Sequence, residues 1–261
     1  MFYPTVSDFV NSRNSSQAVA RYEDAIAALD PEDYTKVLEA ARAYNKYVES
    51  LGSLSLAVEM ETADESGLYH ELLNVMGNGV MGVIKIPSIQ VSLPIYHTTA
   101  DSVLQVGVGH YVGSSLPVGG MGTHSIMTGH RGLPSAKLFT DLDQLQIGDQ
   151  FYIRVLGDVL AYQIDQIEVV LPEEVEGLSI LPDQDYVTLV TCTPYGINSH
   201  RMLIRGVRVP YAGEEVQEAF SPIRAIEESA AKMDKTPIIL LVVVVAIMGV
   251  VVFLRRSKSD W

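Results

Sequence analysis

Between Tyr186 and Val209 the chain is β-rich twice and broken once. In the first run Val187, Leu189 and Val190 stand among threonines, the composition of a mostly buried strand. Pro194 and Gly196 end that run just after Cys192, so the cysteine sits at a strand end. A second strand, Arg201 to Val209, returns across a short loop and carries Arg201 at its entrance. Cys192 is the only cysteine, so it has no disulfide partner within the chain. A lone cysteine is most often a small buried hydrophobe. This one has an arginine just across a loop, and a neighbouring guanidinium favours the reactive thiolate.

Acid–base work beside a thiol calls for a histidine. The best placed is in Ser125-Ile126-Met127-Thr128-Gly129-His130-Arg131-Gly132, where a short apolar strand ends in a glycine-bracketed turn that can present the ring of His130 to a cleft. The competing reading is a structural turn residue, and for Arg201 a plain strand-end cation. A zinc reading of His124 and His130 fails on spacing, with the cysteine remote and no Asp or Glu at ligand distance along the chain. From the residues alone the pattern describes a thiol acyl-transferase or peptidase that needs no cofactor.

Around this pair the texture predicts a mostly β fold. Gly82–Ile86, Gln90–Leu93, Phe151–Val155 and Ala161–Ile167 are short strands with Gly and Pro between them, which suits an antiparallel sandwich or a barrel. Before them, about Ser15 to Leu51 is helical in pattern. Ala18, Tyr22, Ala25, Ile26 and Leu29 form one stripe, Asp30-Pro31 punctuates, and Val37, Leu38, Ala41 and Tyr44 continue an apolar face. Gly52 to Leu72 is the least regular stretch; with Glu59, Glu61, Asp64 and Glu65 it reads as an acidic solvated loop. Asp141, Asp143, Asp149 and Asp165 are scattered and read as solvated.

A net charge of −14 with no large basic cluster in the body of the chain argues against a nucleic-acid partner. Ile238 to Leu254 is an uncharged apolar run at the lower end of the roughly 17–25 residues that cross a bilayer. Arg255, Arg256 and Lys258 follow it, so the tail is expected in the cytoplasm and the main domain outside.

Several short motifs, in order, resemble the sortases, and specifically their class C, pilin-polymerising branch. Thr188 to Arg201 is similar to that family's Cys-to-Arg block, and Thr128-Gly129-His130-Arg131-Gly132-Leu133-Pro134 to its histidine block. Leu93-Pro94-Ile95-Tyr96-His97, Val106-Gly107-Val108-Gly109-His110 and Ser115-Leu116-Pro117-Val118-Gly119-Gly120 resemble family motifs upstream. The resemblance, over roughly Val80 to Tyr211, implies a closed β-barrel. It also implies Cys192 as nucleophile, His130 as proton donor to the leaving amine and Arg201 as the charge that holds the oxyanion. The implied substrate is a pilin or other surface protein with a Leu-Pro-x-Thr-Gly-like sorting signal, and the implied acceptor is a pilin lysine at a Gram-positive cell surface.

The expected organisation is a helical lead-in and irregular loop over 1–79, the catalytic barrel over 80–212, a linker helix over 213–236, a transmembrane helix over 237–254 and a cytoplasmic tail over 255–261. Class C sortases often carry a lid with an Asp-Pro-aromatic motif near Gly52–Leu72; no such triplet stands there. They also carry a hydrophobic segment just before a Tyr-Pro stretch like Tyr3-Pro4, so the natural start is expected upstream of Met1. Two other classes stay open on the sequence: a membrane-anchored cysteine peptidase that hydrolyses its acyl-enzyme, and a non-catalytic surface-binding barrel.

Overall fold

Residues 3–51, 67–174 and 176–211 are described by a computed structural model. Eight strands are formed: β1 (Val80–Ile86), β2 (Val91–His97), β3 (Val108–His110), β4 (Thr123–Thr128), β5 (Gln150–Val155), β6 (Asp158–Val170), β7 (Asp185–Thr193) and β8 (His200–Val209). They close into a barrel in the order β1-β2-β3-β4-β7-β8-β6-β5, with β5 returning to β1. Of the two β architectures open on the residues, the barrel is the one observed. It is not wholly antiparallel, because β2 pairs with β3 and β4 with β7 in parallel. Both parallel pairs need a crossover connection. The β2–β3 connection contains a single helical turn, Asp101–Leu104.

Inward-facing residues of the strands, among them Ile84, Ile95, Met127, Phe151, Ile153, Leu189 and Ile204, make one core. A second, smaller cluster of Ile126, Leu178, Val190 and Leu203 covers the outer face of β4, β7 and β8. Leu178 comes from the β6–β7 connection. β7 is therefore buried on both sides, which is why its sequence is apolar without a clean alternation.

Among the described residues four α-helices accompany the barrel: α1 (Tyr3–Ala27), α2 (Pro31–Leu51), α3 (Leu68–Glu71) and α4 (Asp101–Leu104). Asp30 accepts from the Glu32 amide at 2.8 Å and Pro31 opens α2, as the sequence predicts. The first helix starts well before the expected Ser15. Pro4 is tolerated in its first turn because the missing N–H has no helical partner there, and polar side chains in the middle of α1 tie it to the barrel. Asn11 donates to the Ser135 carbonyl at 2.7 Å and Ser15 to that of Val106 at 3.2 Å. No apolar stripe announces that stretch, since hydrogen bonds hold it.

Tyr22 is the main anchor of α1. A bulge at Met81 interrupts the β1–β2 ladder, and the Tyr22 hydroxyl donates to the Met81 carbonyl at 3.0 Å while accepting from the Leu156 amide at 2.8 Å. The ring is fully buried. Tyr22→Phe leaves both backbone groups unpaired, and we expect it to cost about 1–3 kcal/mol in urea unfolding. A loss below about 0.5 kcal/mol would mean that the Tyr22 hydroxyl adds little to the anchoring of α1. On α2, Asn45 plays a comparable part: its amide exchanges two hydrogen bonds with the backbone of Leu116, at 3.0 and 2.7 Å.

The irregular stretch ends in α3, whose Tyr69 is buried and bonded to the His110 ring at 2.8 Å, so this end of the expected acidic loop belongs to the core. Glu59, Glu61, Asp64 and Glu65 lie outside the described residues. So do the expected linker, the apolar run Ile238–Leu254 and the basic tail. Among the described residues no helix is long and apolar enough to cross a membrane.

Candidate active site

Every residue of β7 is buried except Cys192, which is half-buried. The β7–β8 ladder sets Cys192 directly opposite Arg201 and Val190 opposite Leu203. Cys192 thus shares the parity of Val190 and faces outward, at the end of the strip formed by Ile126, Val190 and Leu203. On the other side, parallel β4 pairs Ile126 with Thr188 and Thr128 with Val190. The Gly129 amide continues the pattern by donating to the Val190 carbonyl at 3.1 Å, and the Thr191 hydroxyl donates to the Gly129 carbonyl at 2.8 Å. Two residues past Thr128, His130 comes level with Cys192. The three residues singled out by sequence are therefore brought to one end of one outer face.

Glycine is required on the approach to His130. A Cβ on Gly129 would lie 2.5 Å from the Phe139 ring, and Gly132 combines a φ of +80° with the Tyr195 ring 2.9 Å from where a Cβ would be. The turn is then stapled to the segment that follows it. The Phe139 amide donates to the His130 carbonyl at 3.1 Å, and the Gly132 amide to the Thr140 hydroxyl at 3.2 Å.

The β7–β8 loop is tight. The amides of Ile197 and Asn198 both donate to the Pro194 carbonyl, at 3.1 and 3.0 Å, and Gly196 and Asn198 have positive φ. Arg201 Nη1 donates to the carbonyls of Asn198 and His200, each at 3.3 Å, which fixes the guanidinium beneath that loop. Tyr195 and Ile197 project into solvent, an apolar rim beside Cys192.

Arg131 and Asp143 are the partners that sequence reasoning missed. Arg131 Nη2 pairs with the Asp143 carboxylate and Nη1 donates to the Thr193 hydroxyl at 3.3 Å. Asp143 is exposed, as expected, and also anchors the histidine turn. Asp141 likewise pairs with Lys137, and Asp165 makes a two-point contact to Arg205 at 3.0 and 2.8 Å. Asp165 and Arg205 meet only through strand register, so single-residue reading cannot foresee that pair, whereas Lys137 and Asp141 stand four residues apart in one segment. His97 and His110 pack inside, and His200 sits at the start of β8 bonded to Ser199.

A cavity of about 930 Å³ opens at the opposite end of β7 and β8. There the buried Asp185 carboxylate accepts from the Gly120 amide at 2.8 Å and the Tyr162 hydroxyl at 2.9 Å, with Arg208 at 3.7 Å. That network closes the far end of the barrel and is remote from Cys192.

The sortase domain, as a family pattern, matches residues 84–209. Among solved structures, sortase C1 from Streptococcus agalactiae is similar at 45% identity and a TM-score of 0.69, over 75% of this chain and 99% of that one. Sortase C1 of GBS pilus island 1 is similar at 40% identity and a TM-score of 0.66, over 78% of this chain and 96% of that one. Sortase A of Streptococcus agalactiae serotype III (strain NEM316) is 31% identical over 54% of this chain and 60% of that relative. The chain spans about three-fifths of the length of such curated relatives. This chain, a closed barrel with a lone cysteine facing an arginine across the last hairpin, matched over nearly the whole length of solved relatives at 40–45% identity, belongs to the sortase family.

Proposed function

We propose that this chain is a membrane-anchored cysteine transpeptidase that joins a surface protein to an amine through a thioester. The observation that carries the reading is the convergence of Cys192, Arg201 and His130 at one end of an outward apolar strip. Cys192 Sγ attacks the carbonyl carbon of the scissile peptide, and the carbonyl oxygen takes up the charge. Arg201 stabilises that oxyanion with a fixed positive charge. Collapse breaks the C–N bond, and His130 gives its proton to the departing amine. An incoming amine then attacks the thioester, forms the new amide and returns the sulfur, with His130 taking up the amine's proton.

The exposed side chains of Tyr195 and Ile197 beside Cys192 offer an apolar rim to the Leu-Pro part of a Leu-Pro-x-Thr-Gly-like signal. The class C motifs and the pilus-island relative support a pilin as substrate and a pilin lysine as acceptor. The apolar run Ile238–Leu254 followed by Arg255, Arg256 and Lys258 supports an anchor with the barrel outside and the tail in the cytoplasm.

Mass spectrometry of the protein incubated with a sorting-signal peptide tests the reading. The expected result is an acyl adduct on Cys192 carrying the fragment up to threonine, discharged by an added amine as a peptide–amine conjugate. An adduct that water alone discharges, with products indifferent to the amine, would make the protein a peptidase. No adduct on Cys192 would remove the thioester altogether.

A further inference from the structure

We propose that Arg131 is a positioning residue, whose guanidinium ties the turn carrying His130 to the strand end carrying Cys192. The proposal rests on the transpeptidase reading of the site. The backbone bonds described above fasten His130 and Gly132 to the segment Phe139–Thr140, not to β7. Contact with β7 through the backbone ends at Gly129. Beyond it, Arg131 crosses the gap. Its side chain is 9% exposed, Nη2 pairs with Asp143, and Nη1 donates to the hydroxyl of Thr193, the residue that follows Cys192. The guanidinium also stands 6.0 Å from the centre of the Tyr195 ring, on the loop that leads to Arg201.

One planar cation therefore touches three segments: its own histidine turn, the helical turn containing Asp143 and the end of β7. A guanidinium can do this because its donors diverge in a fixed fork, whereas an ammonium is a single point of charge. The consequence is geometric. With Asp143 holding one arm, the Thr193 bond sets how far the imidazole stands from the sulfur, and a displacement of about 1 Å there is enough to cost roughly a hundredfold in rate.

The test uses the full chain and four variants, Arg131→Met, Arg131→Lys, Thr193→Val and the double variant Arg131→Met/Thr193→Val, each with its melting temperature measured. With a Leu-Pro-x-Thr-Gly peptide, Arg131→Met should lower kcat roughly 10- to 100-fold and leave KM within about twofold. Thr193→Val removes the bond while leaving the buried arginine in place, and should lower kcat in the same way. The double variant Arg131→Met/Thr193→Val should be no worse than Arg131→Met alone. A raised KM with unchanged kcat would make Arg131 a substrate contact. Full recovery by Arg131→Lys would mean that charge alone matters, and multiplicative losses in the double variant would mean that the two residues act separately. Each of these results overturns the proposal.

Alkylation of Cys192 by iodoacetamide needs no peptide and separates this proposal from the reading it rests on. The rate should fall roughly tenfold in Arg131→Met and fall less than twofold further when Thr193→Val is added. An unchanged rate overturns the proposal whatever the peptide shows. A response in alkylation from a wild-type protein that never turns over the peptide would sink the transpeptidase reading and leave the positioning role standing.

Discussion

Cys192→Ala is expected to lower cleavage of a sorting-signal peptide by at least about 10³-fold, with no acyl adduct formed. The residue is half-buried and makes no cross-link, so the substitution should change stability by less than about 1 kcal/mol. A loss of activity in a folded barrel would then report on chemistry. His130→Ala should approach the same floor, and Cys192→Ala/His130→Ala should go no lower, because residues that act as one unit do not lose rate additively. Arg201→Ala should retain somewhat more, falling roughly 10²- to 10³-fold, as for removal of one oxyanion donor. Product analysis by mass spectrometry, with circular dichroism on each variant, checks the series. Undiminished function in Cys192→Ala would return the non-catalytic binding barrel to first place.

Acid is expected to destabilise the barrel through two buried histidines that remain neutral in the fold. His110 is fully buried, donating from Nε2 to the Ser115 carbonyl at 2.9 Å and accepting at Nδ1 from the Tyr69 hydroxyl at 2.8 Å. His124, 1% exposed, donates from Nδ1 to the Ser179 carbonyl at 3.0 Å and accepts at Nε2 from the Thr188 hydroxyl at 2.7 Å. Each ring has one nitrogen on a carbonyl, which fixes that nitrogen as the donor, and the other on a hydroxyl, which donates to it when the ring is neutral. Burial pushes both down to about 4. The unfolded chain takes up protons on these rings as pH falls through about 6.5, and the folded chain does not until about 4. Unfolding is therefore favoured progressively across that window, and the stability is fully present only above it. The effect is of order 2–3 kcal/mol for each histidine.

His97 differs, because its two ring nitrogens face the carbonyls of Gly79 and Leu72 at 2.9 and 2.7 Å, which only the protonated ring satisfies, while burial opposes the charge. Urea titrations at pH 7 and pH 4.5 measure the difference, and His124→Gln, which cannot charge, should lose part of it. Equal stability at the two pH values would mean that the buried rings are protonated in the fold.

Much of the site was legible in one dimension. The strand that ends at Cys192, the break at Pro194 and Gly196, the returning strand at Arg201 and the glycine-bracketed His130 are all local signals. Backbone rules act over a few residues, and so the signals survive in the sequence. A hairpin also fixes its own register through its turn, so the pairing of Cys192 with Arg201 follows from the spacing between them. The helical start of α2 at Asp30-Pro31 was readable for the same reason.

What the chain alone left open was anything set by contact between remote segments. Composition could not choose between sandwich and barrel, because both bury alternate residues of short strands; closure depends on β5 returning to β1. Nor could it show that β4 and β7 run parallel, which brings His130 level with Cys192 from about sixty residues away. Asp143 has no local signal at all, since a carboxylate in a turn looks solvated until Arg131 is folded onto it. Residue types and short spacings determined which groups could do thiol chemistry here. The barrel's register decided that they meet, because only a closed set of strands holds distant ends of the chain within reach of one another.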